Sequence, residues 1–126
     1  MRKLGAAFAA AALTIYASEG AADAAQPTLG VYQCQRAAMI AGRVAIQPVV
    51  AGDFALLGQS AYADRDGKHG SYTLGQDGML SMITGPLKGS VYQQVAKDAF
   101  RLIRPPGSGE TDCAYNPQLN PHQTHW

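Results

Sequence analysis

From about residue 27 onward, hydrophobic and polar positions alternate mostly with a period of two, the pattern of strands with one buried face. Residues 29–36 place Tyr32 and Cys34 on one face, which is expected to point inward. Residues 43–47 alternate with Val44 and Ile46 on one side, and Pro48 then forces a strand end or an edge. Residues 37–41 are ambiguous between these runs and read equally as a helical turn. Residues 53–57 are a third apolar run, closed by Gly58, and a polar stretch over 59–70 follows, interrupted by Tyr62. Asp66-Gly67 marks a turn inside it.

Farther on, residues 71–74 set Tyr72 and Leu74 on one face. Residues 75–78 form the strongest hairpin signal of the chain, and residues 79–84 return with Leu80 and Met82 together. Residues 85–89 make a Gly-bounded loop. Residues 90–96 put Val91, Gln93 and Val95 opposite Tyr92 and Gln94, and residues 99–104 pair Phe100 with Leu102. Residues 105–109 read as a connection, residues 112–115 as a last short strand, and Asn116 onward as a tail or surface wrap. Seven or eight short strands with no convincing helix predict an all-β fold, a small antiparallel barrel or barrel-like sandwich. One β-domain over 25–116 and a tail over 117–126 follow.

The N-terminus breaks this pattern. Arg2 and Lys3 precede an apolar run over 4–17, then Ser18, Glu19 and Gly20, then the small-residue site Ala22-Asp23-Ala24. That order is a secretory signal peptide over 1–24, and the run is shorter than the ~20 apolar residues of a membrane helix. Export to the periplasm or the medium is the expectation, with no transmembrane segment in the mature chain. In an oxidising compartment Cys34 and Cys113 most simply form one disulfide. It would bring the first and last strands together, as a closed or nearly closed barrel requires, although a sandwich can also be stapled end to end.

Tyr32-Gln33-Cys34, Gly70-Ser71-Tyr72 and the loop Thr84-Gly85-Pro86-Leu87-Lys88-Gly89 together resemble a group of small, exported, uncharacterised bacterial β-domains. Those open on a Tyr-x-Cys strand and carry a G-x-Y hairpin ending in a [ST]-G-P-[LM]-x-G loop. Met82 departs from that pattern, where an aromatic residue is commoner. The resemblance implies an exported β-fold and no particular activity.

Composition narrows the chemistry. Charged residues are 15% of the chain and the formal net charge is +1, against roughly 25% charged residues in an average domain. Removing 1–24 removes two bases and two acids, so the balance persists. Bulk charge therefore argues against a nucleic-acid binder and a polybasic membrane protein. Asp64-Arg65-Asp66-Gly67 starts like a calcium loop, but Lys68 and Gly75 occupy positions that need oxygen ligands, so turn chemistry is the reading. His122 and His125 would need a third ligand such as His69 to hold zinc. No nucleophile–base–orienter set or G-x-S-x-G pattern occurs, and Glu110 is the sole glutamate after residue 24. No enzyme, no cofactor and a monomer are therefore expected. Lys88, Lys97, Arg101 and Arg104 read as a basic patch or a solvated strand face. Gly85, Pro86, Leu87, Lys88 and Gly89 form the candidate binding loop. The tyrosines should be mostly core, their hydroxyls needing partners near a barrel mouth. The expected function is a non-catalytic binding module for an envelope protein or glycan. The alternatives are a protein inhibitor of a secreted hydrolase and a small-ligand carrier.

Overall fold

A computed structural model describes residues 25–104 and 110–126. The expected signal peptide over 1–24 and the expected connection over 105–109 lie outside the described residues. The strands are β1 (Gly30–Ile40), β2 (Arg43–Pro48), β3 (Phe54–Leu56), β4 (Ala61–Ala63), β5 (His69–Leu74), β6 (Met79–Met82), β7 (Val91–Ala96), β8 (Ala99–Arg104) and β9 (Thr111–Tyr115). All pairings are antiparallel. β3 to β9 follow one another as neighbours, β1 lies beside β3, and β9 pairs back onto β1. Eight strands thus close into an antiparallel barrel, and β2 is an extra strand outside it.

β1 serves both parts. Gly30–Tyr32 pair with β3 and Tyr32–Arg36 pair with β9, whereas Gln35–Ile40 pair with β2. The second half of β1 and β2 therefore form a two-stranded ribbon leaving the barrel. The ambiguous residues 37–41 are strand up to Ile40, not a helical turn. Ala41 and Gly42 follow with φ of 52° and 79°. Two successive positive φ values between Ile40 and its partner Arg43 are the mirror-image turn that suits a right-twisted hairpin. An Ala-Gly pair signals this turn weakly, because alanine seldom takes positive φ. The polar stretch 59–70 also contains a strand. β4 holds only Ala61–Ala63, but Tyr62 is fully buried there, and β5 already starts at His69.

Alternation works as expected inside the barrel. Tyr32, Cys34, Phe54, Leu56, Tyr62, Tyr72, Leu80, Met82, Tyr92, Phe100, Leu102 and Cys113 form one buried cluster. The Tyr32 ring stacks on Phe54 at 5.2 Å, and Phe54 meets Tyr92 at 4.9 Å. Interiors of about eight strands are narrow enough for side chains to fill. The tyrosine hydroxyls reach main-chain oxygens beyond the apolar layer: Tyr32 to Thr28, Tyr62 to Thr84, Tyr72 to Gly58 and Tyr92 to Gly52. Burial pushes the hydroxyls of Tyr32 and Tyr92 well above their ordinary pKa, so both remain neutral donors.

Cys34 and Cys113 face each other directly across β1 and β9 and are disulfide-bonded, 79 positions apart in sequence. Both are buried. The bond crosses the seam at which the sheet closes. Replacing both cysteines by alanine is expected to lower stability by up to about 4.5 kcal/mol in the chain-entropy picture. Urea unfolding of the double variant against the oxidised parent measures this, and a loss below about 1 kcal/mol contradicts the expected role of the staple.

Candidate functional site

The strand register separates the two ends of the barrel. The turns over 75–78 and 97–98 lie at one end. The segment 49–53, the turn 64–67, the loop 83–90 and the β1–β2 ribbon lie at the other. The candidate binding loop is thus at the ribbon end, and the fold holds it firmly. The Tyr62 hydroxyl donates to the Thr84 carbonyl at 2.7 Å and accepts from the Leu87 N–H at 2.9 Å. A Cβ on Gly70 would stand 2.3 Å from the Thr84 oxygen, and one on Gly85 would stand 2.6 Å from the Gly70 Cα. Gly85 also has a φ of 88°. Two backbones pressed together at these points leave room for no side chain, which gives the glycines of the G-x-Y and T-G-P motifs a packing role. Pro86 and Lys88 are exposed on the loop, while Leu87 packs partly against the core.

The four candidate basic residues do not converge. Lys88 and Arg104 stand at the ribbon end, Lys97 lies in the β7–β8 turn at the opposite end, and Arg101 lies between Phe100 and Leu102 on β8. Arg101 forks onto Asp112, with Nε to Oδ1 at 2.8 Å and Nη2 to Oδ2 at 3.3 Å. The tail docks instead of hanging free. It starts where Asn116 N–H donates to the Val31 carbonyl, and it ends where His125 N–H donates to the Arg65 carbonyl at 2.6 Å. His125 Nδ1 stands 3.6 Å from Asp66. Among the described residues, no group of three or more His, Cys, Asp or Glu could hold a metal ion.

Two features escaped the sequence reading. The first is Asp53, 3% exposed at the entrance to β3. Where β1 changes partner, the main chain of Cys34 turns away from β9 and needs other partners. Asp53 Oδ1 accepts its N–H at 2.7 Å, and the Cys34 carbonyl accepts from Val49 N–H at 2.8 Å. Burial pushes the Asp53 carboxyl up to about 6, opposed by the Cys34 hydrogen bond and by the charge of Arg65. Asp53 opens on a cleft of about 340 Å³ with Val50 and Ala51 on one side, Pro86 and Leu87 on another and residues 64–66 on a third. A second cleft of about 310 Å³, near Val49, Tyr92 and Leu102, borders the same segment 49–53.

The second feature is the ribbon. Opposed residues share a face, so Gln35, Ala37, Met39, Val44, Ile46 and Pro48 align on one side, and Arg36, Ala38, Ile40, Arg43, Ala45 and Gln47 on the other. Met39, Val44 and Ile46 are 71%, 69% and 61% exposed. The alternation of Val44 and Ile46 is real, but its apolar side faces solvent.

No family model, curated protein or solved structure matches this chain. Its surface and interior carry the functional reading. Among the described residues, no helix is long and apolar enough to cross a membrane.

Asp53 also sets a pH signature. Its folded pKa lies above the unfolded value of 3.8, so its contribution to stability is complete below pH 4 and is lost as pH rises through about 6. Asp98, held by Thr28 and Tyr32, has a lowered pKa. Its contribution is present above the ordinary carboxylate range and is lost as pH falls below it, outside the Asp53 window. Asp53→Asn should flatten the decline between pH 4 and 6.5 by at most about 3 kcal/mol. Asp53→Ala, which strands the Cys34 N–H, should cost about 1–3 kcal/mol throughout. Denaturant midpoints across that range test both, and an unchanged slope in Asp53→Asn contradicts the assignment.

Proposed function

We propose that the chain is an exported, non-catalytic binding module that docks a protein of the cell envelope through the aliphatic face of the β1–β2 ribbon. The carrying observation is that face itself, with Met39, Val44 and Ile46 largely in solvent and Ala37 and Pro48 in line with them. Apolar area left in water forgoes roughly 25 cal/mol per Å² of burial. The ribbon lies outside the barrel, whose closure does not involve these side chains.

Three properties support a protein as the occupant. The large exposed side chains of that face are aliphatic, and the ribbon offers no aromatic ring on which a sugar could stack. It carries Arg36 and Arg43 and no acid, which suits an apolar strip bordered by carboxylates. The outer edge of β2 pairs with no other strand among the described residues, so main-chain groups are open to strand addition. Export is supported by the pattern of residues 1–24 and by the buried disulfide; periplasm and medium both fit. The non-catalytic reading is supported by the interior, whose tyrosine hydroxyls are committed to main-chain carbonyls.

A protein inhibitor of a secreted hydrolase is the second reading. It is favoured by the pinned loop of Gly85, Pro86, Leu87, Lys88 and Gly89, since a rigid loop enters a cleft at low entropic cost. The side-chain-filled barrel gives the small-ligand carrier no comparable support.

Chemical cross-linking in an envelope fraction separates these readings. The parent chain should capture one defined protein, and the double variant Met39→Glu, Ile46→Glu should lose it while its stability changes by no more than about 0.5 kcal/mol, as expected for exposed sites. Capture that survives the double variant, or a parent that captures nothing, overturns the ribbon as the docking face. Self-association lost in the variant would instead assign the face to a second copy.

A further inference from the structure

We propose that the cleft at Asp53 receives a basic side chain of the partner protein, a lysine or arginine whose charged head meets Asp53 and whose aliphatic stem lies between Val50 and Leu87. The inference rests on reading the ribbon end as the docking end. It deepens that reading by naming a specificity pocket.

Charge is the first argument. Asp53 is almost wholly buried, and its Oδ1 is committed to the Cys34 N–H. Oδ2 has no hydrogen bond among the described residues, and its ion-pair partner is Arg65 Nε at 4.0 Å. Arg65 does not close that gap because its Nε–H donates to the Trp126 main-chain oxygen at 2.7 Å. The tail holds it there, with His125 N–H on the Arg65 carbonyl. Asp64 and Asp66 line the same cleft, but Asp64 Oδ1 accepts from the Asp66 and Lys68 N–H groups and Asp66 stands 3.6 Å from His125 Nδ1. Asp53 is therefore the buried acid of the cleft, and Arg65, whose Nε–H is already used, is the cation beside it. A buried carboxylate needs a paired cation or hydrogen-bond donors to offset its desolvation. A second cation entering the cleft supplies that compensation at Asp53 Oδ2, which an anion cannot do.

The walls are the second argument. Val50, Ala51, Pro86 and Leu87 give the cleft apolar walls beside the buried carboxylate of Asp53. That combination matches lysine and arginine, which bury an aliphatic stem while their head seeks polar partners. A bare metal ion would gain nothing from such walls. Position is the third argument. Val50 and Ala51 follow β2 almost directly in sequence, which puts the cleft at the root of the ribbon.

The test needs no identified partner. The full chain, labelled with ¹⁵N, is titrated with N-acetyl-lysine-N-methylamide, with the uncharged N-acetyl-norleucine-N-methylamide, and with n-butylammonium. The lysine compound should give saturable shifts at the amides of Cys34, Ala51 and Leu87. Norleucine should bind at least tenfold more weakly, and Asp53→Asn, which retains an acceptor for the Cys34 N–H, should weaken lysine binding at least tenfold. Equal binding of norleucine, lysine binding unchanged in Asp53→Asn, or no saturable shift overturns the proposal. Binding of n-butylammonium with exclusion of the blocked lysine also overturns it, because the source would then be a free amine. Should Asp53→Asn fail to fold, the lysine–norleucine comparison on the parent chain decides. A failed ribbon experiment leaves this titration intact, so the two readings can fall separately.

Discussion

The main chain of Cys34 is the point on which the architecture depends. A β-strand has two hydrogen-bonding edges, and β1 must supply three partners along eleven residues. It gives one edge to β9, and the other first to β3 and then to β2. Between those last two partners, one N–H and one C=O face no strand. Backbone groups buried without partners are costly, so this junction has to be satisfied from outside the ladder. Asp53 and Val49 do so, and both belong to the segment that returns the chain from the ribbon to the barrel. The same residue bears the sulfur that closes the seam. Cross-link, buried acid and ribbon root therefore meet at one position, and a change there disturbs all three.

The tyrosines convert a filled barrel into a scaffold for its loops. A phenylalanine at each position would fill comparable space but end inside the apolar layer. A tyrosine extends to a hydroxyl that needs a partner, and at Tyr32, Tyr62, Tyr72 and Tyr92 that partner is a main-chain carbonyl of a flanking segment. Core packing and loop position thus become one constraint. Tyr62 is the clearest case, since it also accepts from Leu87. The loop Gly85–Gly89 and the segment 49–53 are consequently held by the interior, a condition under which a binding surface loses little entropy on association.

This distribution explains what the sequence disclosed. Period-two alternation located strands wherever one face is buried, because burial writes that pattern. Tyr32, Tyr72, Leu80, Tyr92, Phe100 and Leu102 were legible for this reason, and the disulfide followed from two cysteines flanking the domain. β4 was missed because three residues cannot display a period, and Tyr62 alone marked it. The extension of β1 was missed because Ala37 and Ala38 have weak strand preference and Ala41-Gly42 lacks the usual asparagine or aspartate. Asp53 carried no local signal, since its role is created by a strand switch nineteen positions earlier in the chain. The dispersal of Lys97 and Arg101 away from Lys88 and Arg104 likewise depends on register, which charge spacing does not encode.

The ribbon poses the opposite problem from the barrel. A closed barrel has no edges, yet this chain adds a strand that reintroduces one. An apolar edge strand invites indiscriminate pairing, and natural edges are usually blunted by charge or proline. Both devices are present here but only at the ends of β2, where Arg43 and Pro48 stand. Val44 to Gln47 remain unguarded, and the apolar face lies over that same stretch. A strand whose exposure served only to finish the fold would be expected to place its polar residues outward, as β8 does with Arg101 between Phe100 and Leu102. On β2 the exposed side is instead the apolar one. Under the proposed docking role, that arrangement offers pairing only a short apolar window, close in sequence to the cleft at Asp53.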